Sequence, residues 1–248
     1  MIKSSSLAHL PCAAVLLLLV FGGLASGQTP IGYWTFDSDT AGAGGINDLA
    51  GGNHNATLGS GSFSTDVPTQ LSGGMSLNLT GGGDYAIVDS FSGGATDGDF
   101  NVNRLTVSTW IKGWPNGSWE PFVAKRGESG QGWQLRRHGG SSNQTFTLRG
   151  HGNDDPQGSI NVQSLANAGW VHVVGTYDGA TRRTYVNGIL DRVDFDSGNI
   201  TATNAFVTFG ARDNSTSSGP HVPSIGNNSQ IQIDDTAVYG DGLASNQV

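Results

Sequence analysis

Short runs of β-branched and aromatic residues, each ended by a cluster of Gly, Asn and Asp, recur about every eight to twelve residues from Pro30 onward, the pattern of an all-β sandwich. Leu105-Thr-Val-Ser-Thr-Trp-Ile-Lys112 alternates Leu105, Val107 and Ile111 on one face with Thr106, Ser108, Trp110 and Lys112 on the other. Trp170 to Tyr177 reads as a second long strand. Arg183 to Val186 meets Ile189 to Val193 across Asn187-Gly188, a hairpin signal because both turn residues must take positive φ. Further strands are expected at Ile31 to Asp37, Ser76 to Thr80, Tyr85 to Asp89, Trp119 to Lys125, Gly132 to Arg137, Thr145 to Arg149, Ala205 to Gly210 and Gln230 to Tyr239.

Composition agrees with this reading. Glycine is 39 of 248 residues, and the glutamates are Glu120 and Glu128 alone. The only lysines are Lys3, Lys112 and Lys125. A wet helical face needs Lys, Glu, Ala and Leu, whereas Gly, Asn and Asp serve turns, so helices are not expected. The formal charge of −8 speaks against nucleic acid and anionic membrane as partners and leaves cations and neutral polar ligands.

Residues 1–27 read as a signal peptide: Lys3 precedes the apolar run Ala13 to Leu24, and small residues follow before Gln28. The run is about twelve residues, shorter than the roughly 20 of a membrane span. Cys12, the lone cysteine, falls inside it, so the exported protein has neither a disulfide nor a thiol nucleophile. Residues 28–248 form a single domain, secreted or at the cell surface, with no membrane span after cleavage. The polar stretch Asp213 to Ser229 reads as a long surface loop.

Tyr33-Trp-Thr-Phe-Asp37, Ile46-Asn-Asp48, Gly51-Gly-Asn-His-Asn55, Gly83-Asp-Tyr85, Leu105 to Trp110, Trp170-Val-His-Val-Val174, Thr176-Tyr-Asp-Gly179, Tyr185-Val-Asn-Gly188 and Ile233-Asp-Asp235 follow an order that resembles the laminin G-like jelly roll of the concanavalin A-like lectin/glucanase superfamily. The resemblance runs from about Ile31 to Val248. It implies an antiparallel two-sheet β-sandwich, commonly a ligand-binding or adhesive module and often one with calcium. The cysteine pair near the end of many animal members is missing. The chain also stops at Ala244-Ser-Asn-Gln-Val248, where relatives often continue, so a piece of a longer polypeptide stays open.

Calcium takes six to eight oxygens. In the resembled topology the last strand lies near the first, which would bring Asp234 toward Asp37, Asp48 and Asn53; alternation sends Asp235 the opposite way. For each of these aspartates, capping of backbone amides is the competing role. Sugars stack on aromatic faces and are oriented by Asn, Asp and Arg. Trp114-Pro-Asn-Gly-Ser-Trp119 sets two rings about a turn, with Trp114 the one expected to be exposed. Trp133, Arg137 and Asp154 lie on neighbouring segments, close to Arg136, His138 and Asp155, and complete the candidate carbohydrate site. Core packing competes for Trp119 and Trp133, and is the assignment for Trp34, Trp110 and Trp170.

Catalytic constellations are not found. The glucanases of this fold carry Glu-x-Asp-x-x-Glu on one strand, which this chain lacks. Asp194-Phe-Asp196 reads as a solvated pair near a turn, and His172 as a hydrogen-bonded structural histidine. The expected protein is a secreted, non-catalytic module binding carbohydrate or a glycoprotein. A polysaccharide-active hydrolase or lyase, and a protein-binding adhesion or structural surface module, are the alternatives.

Overall fold

The computed structural model describes residues 28–37, 45–71, 73–88, 98–126, 130–151, 153–213, 223–224 and 230–248. Residues 1–27, expected to be a signal peptide, and most of the Asp213 to Ser229 stretch lie outside these residues. Two antiparallel sheets face each other across one core, as the alternation requires.

The first sheet has eight strands. From one edge these run Ile189–Phe195, Thr181–Val186, Val171–Tyr177, Leu105–Gly113, Ile231–Tyr239, Ser76–Leu79 and Ser62–Ser64, and Gly32–Trp34 pairs with Ile231–Tyr239. The second sheet has seven, in the order Gln144–Leu148, Gly132–Arg137, Pro121–Arg126, Val207–Phe209, Tyr85–Val88, Ala56–Ser60 and Gly45–Ile46. A small ladder joins Arg212–Asp213 to Pro223–Ser224.

Val107, Ile111, Val173, Ile231 and Ile233 of the first sheet pack with Phe122, Val123, Trp133, Leu135, Phe146 and Val207 of the second. Each such side chain, taken fully out of water, contributes about 1.5–3 kcal/mol. Trp34 lies at the centre of an aromatic group with Phe100 and Phe209, and its indole N–H donates to the His54 carbonyl at 2.8 Å. At Gly175 the facing sheet comes close: a β-carbon there would lie 2.4 Å from the Phe146 ring.

Asn187 and Gly188 take φ of 50° and 75°, the backbone the hairpin demanded. Two expectations need correction. A short helix, Val162–Ala168, does form, because Val162 and Ala166 find the core and the Asn161 side chain accepts from the Ser164 amide at its start. Strands Ala56–Ser60 and Ser62–Ser64 escaped notice because their polar, glycine-bearing sequences look like turns; Gly59 is needed there because the Tyr85 ring lies against it.

His54, 3% exposed, ties the first strand to this layer. Its Nδ1 donates to the Ile31 carbonyl at 3.1 Å, and its Nε2 donates to Asp99 at 3.1 Å. The hydrogen bond with Asp48, reinforced by Asp99, raises the imidazole pKa against the opposing effect of burial. A raised folded-state pKa means stability that is complete below the unfolded value and is lost as pH climbs through the folded one. The melting temperature is therefore expected to fall as pH climbs above the ordinary imidazole value of about 6.5, and His54→Gln to flatten that slope in a thermal-melt series.

Candidate functional site

Six tryptophans offer themselves for stacking, and the structure sorts them. Trp114, predicted to be exposed, is 4% exposed and packs on Phe122. Trp133 is 1% exposed, its indole N–H donating to the Phe100 carbonyl. Both belong to the core and present no ring to a ligand, which corrects the expectation for each. Pro115 is itself buried, so the turn folds inward and carries Trp114 with it. Trp110 and Trp170 are half-buried on the first sheet, the former against the His172 ring and the latter bonded to Asp66. Burial holds His172 neutral, its pKa lowered to about 4, and its Nε2 shares a hydrogen bond with the Ser108 hydroxyl at 2.7 Å, a structural role.

Trp119 is different. It is half-buried, and its backbone φ is +66°, a left-handed conformation that a bulky residue adopts only when its surroundings enforce it. The Trp119 amide donates to the Gly139 carbonyl at 3.1 Å. The Arg136 guanidinium lies 4.6 Å from the ring centroid, and His138 meets the ring edge-on. A cation over an indole contributes about 0.5–1 kcal/mol at exposed sites and more when desolvated.

Arg137, predicted to contact sugar, instead holds this loop in place. Its guanidinium donates to the carbonyls of Pro115, Asn116 and Gly117 on one side, and of Gly140 and Ser141 on the other. The turn before Trp119 is thus fastened to the hairpin after Arg137, and Arg137 positions the ring.

Arg136 and Trp119 lie on the outer face of the second sheet, away from the core. Alternation puts Arg136 and Gln134 there, and the register places Thr145 opposite Arg136, and Thr147 and Ala124 opposite Gln134. Arg136 donates to Thr147 at 2.8 Å and to Asp155 at 2.5 Å. Asp154, the remaining predicted sugar contact, pairs with Arg149 at 2.8 Å. Both aspartates are fixed from below by Arg182, 1% exposed, which donates to the carbonyls of Asn153 and Asp154. Arg182 also pairs with Asp194 at 2.9 Å and Asp196 at 3.6 Å, so these carboxylates are ion-paired and not the solvated pair expected.

Where strands Pro121–Arg126 and Gln144–Leu148 end, this face opens into a cleft of about 570 Å3 lined by Arg126, Gln131, Arg149, Asp154 and Thr201, with Gly130 and Gly150 at its rim. Sequence reasoning did not find Arg126 or Arg149. The available signal was an arginine ending each of two strands with a glycine close behind, Gly130 and Gly150, both at positive φ. Among the described residues, several buried polar atoms of this face find no hydrogen-bond partner: both amide atoms of Gln134, Thr145 Oγ1, and the Nε of Arg126, Arg149 and Arg212. Buried polar groups are nearly always satisfied, so such a concentration marks a face built for more than packing.

The calcium set comes together only in part: Asp37 lies close enough to Asp234 and Asp235 to raise their carboxyls, while Asp48 and Asn53 belong to a separate turn. Asp48 Oδ1 accepts from the amides of Tyr33 and Ala50, and Oδ2 from those of Gly52 and His54, so both oxygens are occupied in capping a turn. Asn53 is exposed at φ +58° in that turn. Asp37 accepts from the Met75 amide instead. Among the described residues no three His, Cys, Asp or Glu side chains are spaced to hold a metal ion. Asp234 and Asp235 do not simply alternate either: the pairing with Leu105–Gly113 slips between Asp234 and Ala237, and Asp235 sits at φ +44°. This bulge buries Asp234 and aims Asp235 at the Tyr33 hydroxyl, which donates to it at 2.7 Å.

A profile for the concanavalin A-like lectin/glucanases superfamily, laminin G type, matches residues 80–248. No curated protein sequence matches the chain. Among solved structures, the binding domain of Paraclostridial Mosquitocidal Protein 1 is similar, with a TM-score of 0.62 at 17% identity over 88% of this chain and 50% of that one. Domain 4 of a GH43 extracellular arabinanase from Geobacillus stearothermophilus, solved with arabinotriose, gives 0.62 at 16% identity over 89% of this chain and 96% of that one. The ligand binding domain of botulinum neurotoxin serotype D, solved with N-acetylneuraminic acid, gives 0.56 at 16% identity, covering 88% and 49%. The chain thus spans about half the length of the toxin domains and nearly all of the arabinanase domain. These likenesses are of fold.

Burial, with Asp235 and Asp37 nearby, pushes the Asp234 carboxyl up to about 8. A carboxyl raised in the folded state stays protonated where the unfolded chain has ionised, so stability falls as pH rises from about 4 to about 8. Asp234→Asn, which keeps an oxygen for the Asp235 amide, is expected to raise the melting temperature at about pH 8 by several degrees and to leave it little changed at about pH 4.

Proposed function

Because the chain belongs to the concanavalin A-like lectin/glucanases superfamily, we propose that it is a non-catalytic module that binds carbohydrate on the outer face of its seven-stranded sheet. The observation that carries this reading is Trp119, a large apolar ring held near the surface in a left-handed backbone by Gly139, Arg136 and the Arg137 clamp. Folding alone gives no reason to place an indole at such a φ, and strained positions gather where ligands are held. An aromatic face with fixed polar groups around it is what recognition of a pyranose or furanose ring requires.

Beside the ring stand groups of both hydrogen-bonding kinds. Asp155 and Asp154 accept and Arg149 and His138 supply donors, while Arg136, 2% exposed, holds Asp155 and the ring from beneath. Most are already oriented by the Arg182 and Arg137 clamps, which limits the side-chain entropy lost when a ligand arrives. The arabinanase domain solved with arabinotriose and the toxin domain solved with N-acetylneuraminic acid show that relatives of this fold hold sugars. Glu120, 5% exposed beneath Arg136, Arg137 and Arg212, has its pKa raised by burial. The Glu-x-Asp-x-x-Glu strand of the glucanases of this fold is missing from the sequence, which favours binding over cleavage. The 1–27 leader supports export, and no helix among the described residues is long and apolar enough to cross a membrane.

Affinity electrophoresis against a panel of soluble plant and bacterial polysaccharides tests the proposal. Wild-type protein is expected to be retarded by at least one of them with no new reducing ends or unsaturated sugars released, and Trp119→Ala to weaken that binding by roughly tenfold or more, about 1.4 kcal/mol, while keeping the β-sandwich fold by circular dichroism. Retention that survives Trp119→Ala would move the site elsewhere, and product release would make the protein an enzyme.

A further inference from the structure

The second sheet reverses the charge of the molecule. The chain carries −8 overall, yet four of its twelve basic side chains (Arg126, Arg136, Arg149 and Arg212) gather on this face around Glu120, Asp154 and Asp155. Within the cleft itself two guanidinium groups meet one carboxylate. That carboxylate, Asp154, is taken by Arg149 at 2.8 Å, and Arg149 also lies 3.7 Å from Asp155, so the uncompensated charge of the cleft is that of Arg126. Among the described residues no carboxylate comes within ion-pair distance of Arg126, and its Nε, buried, has no hydrogen-bond partner. The Arg149 Nε is orphaned in the same way. Burial, followed by repulsion from Arg149, Arg136 and Arg212, lowers the Arg126 pKa to about 10.

The two side chains converge. A β-carbon added to Gly130 at the cleft rim would lie 3.7 Å from an Arg126 terminal nitrogen and 3.9 Å from the Arg149 Nε, so both guanidinium groups border the space that glycine leaves open. An uncompensated, partly desolvated guanidinium is a costly arrangement that a planar anion relieves, because its donor fork matches two oxygens of a carboxylate or sulfate. Neutral sugars offer no such relief.

Resting on the carbohydrate reading above, we infer that the cleft between Arg126 and Arg149 takes the acidic group of an anionic saccharide, a carboxylate or a sulfate ester, while Trp119 marks the part of the face that takes the sugar rings. The charge of the whole chain, which pointed to cations and neutral ligands, does not govern this site: at physiological salt the screening length is about 8 Å, so the local arginines dominate what an approaching ligand meets.

The test compares polygalacturonate, a sulfated galactan and neutral arabinan as ligands for the intact protein at about 50 and about 500 mM salt. Binding to one or both acidic polymers is expected to exceed that to arabinan by roughly tenfold and to fall by roughly tenfold at the higher salt. Which acidic polymer binds separates carboxylate from sulfate recognition. Arg126→Gln is expected to lower the acidic-polymer affinity by roughly tenfold, with Arg126→Lys restoring part of it and the exposed Arg104→Gln changing nothing. Should Arg126→Gln fail to fold, Arg149→Gln and the wild-type salt dependence decide. Equal, salt-insensitive binding of arabinan and the acidic polymers overturns the anion site and leaves the carbohydrate reading standing. No binding to any polysaccharide overturns both.

Discussion

Strand Ile231–Tyr239 is the member on which the architecture depends. It pairs with Leu105–Gly113 along one edge and with both Ser76–Leu79 and Gly32–Trp34 along the other, so the beginning, middle and end of the domain meet on it. The Tyr33 to Asp235 hydrogen bond and the bulge at Asp235 lock the first strand against it. Contacts so distant in sequence yield no stability until long loops are closed, and topologies dominated by them fold slowly. Neither sheet has an apolar face that can stay wet, so the sandwich forms as one cooperative unit.

That unit supplies what a binding face needs, rigid support from behind. Arg182 reaches from the first sheet to the backbone carrying Asp154 and Asp155, and those carboxylates set Arg149 and Arg136. Lys125, wholly buried, donates to the carbonyls of Thr203 and Ala205 and pins the segment leading into Val207–Phe209. Buried cations rarely improve stability over apolar residues of similar size. Here they fix loops in register with the sheets.

The framework was legible from period and turn chemistry. Alternation in Leu105–Gly113, the Asn187-Gly188 turn and the strands from Gly132 to Leu148 depend on local backbone physics, which a sequence displays directly. The site was less legible, and for an identifiable reason. Whether an indole in a turn faces water or core depends on which way the loop folds, and Trp114 and Trp119, five positions apart with Pro115 beside the first, chose opposite answers. Arg137 reads from sequence as a surface donor, but five carbonyls that claim it come from two segments whose meeting no spacing rule announces. Asp48 likewise looked like a metal ligand because capping and coordination use the same oxygens. A bulge, which inserts one residue into a two-residue rhythm, upset the alternation argument for Asp234 and Asp235.

Trp119 carries one more consequence. Left-handed backbone disfavours a bulky residue by an energy on the order of 1–3 kcal/mol, and glycine would occupy the same φ without strain. A procedure that redesigned this chain for thermal endurance would place glycine there and return a hardier sandwich with a blank face. The stability of this domain and its capacity to recognise anything are therefore opposed at a single residue.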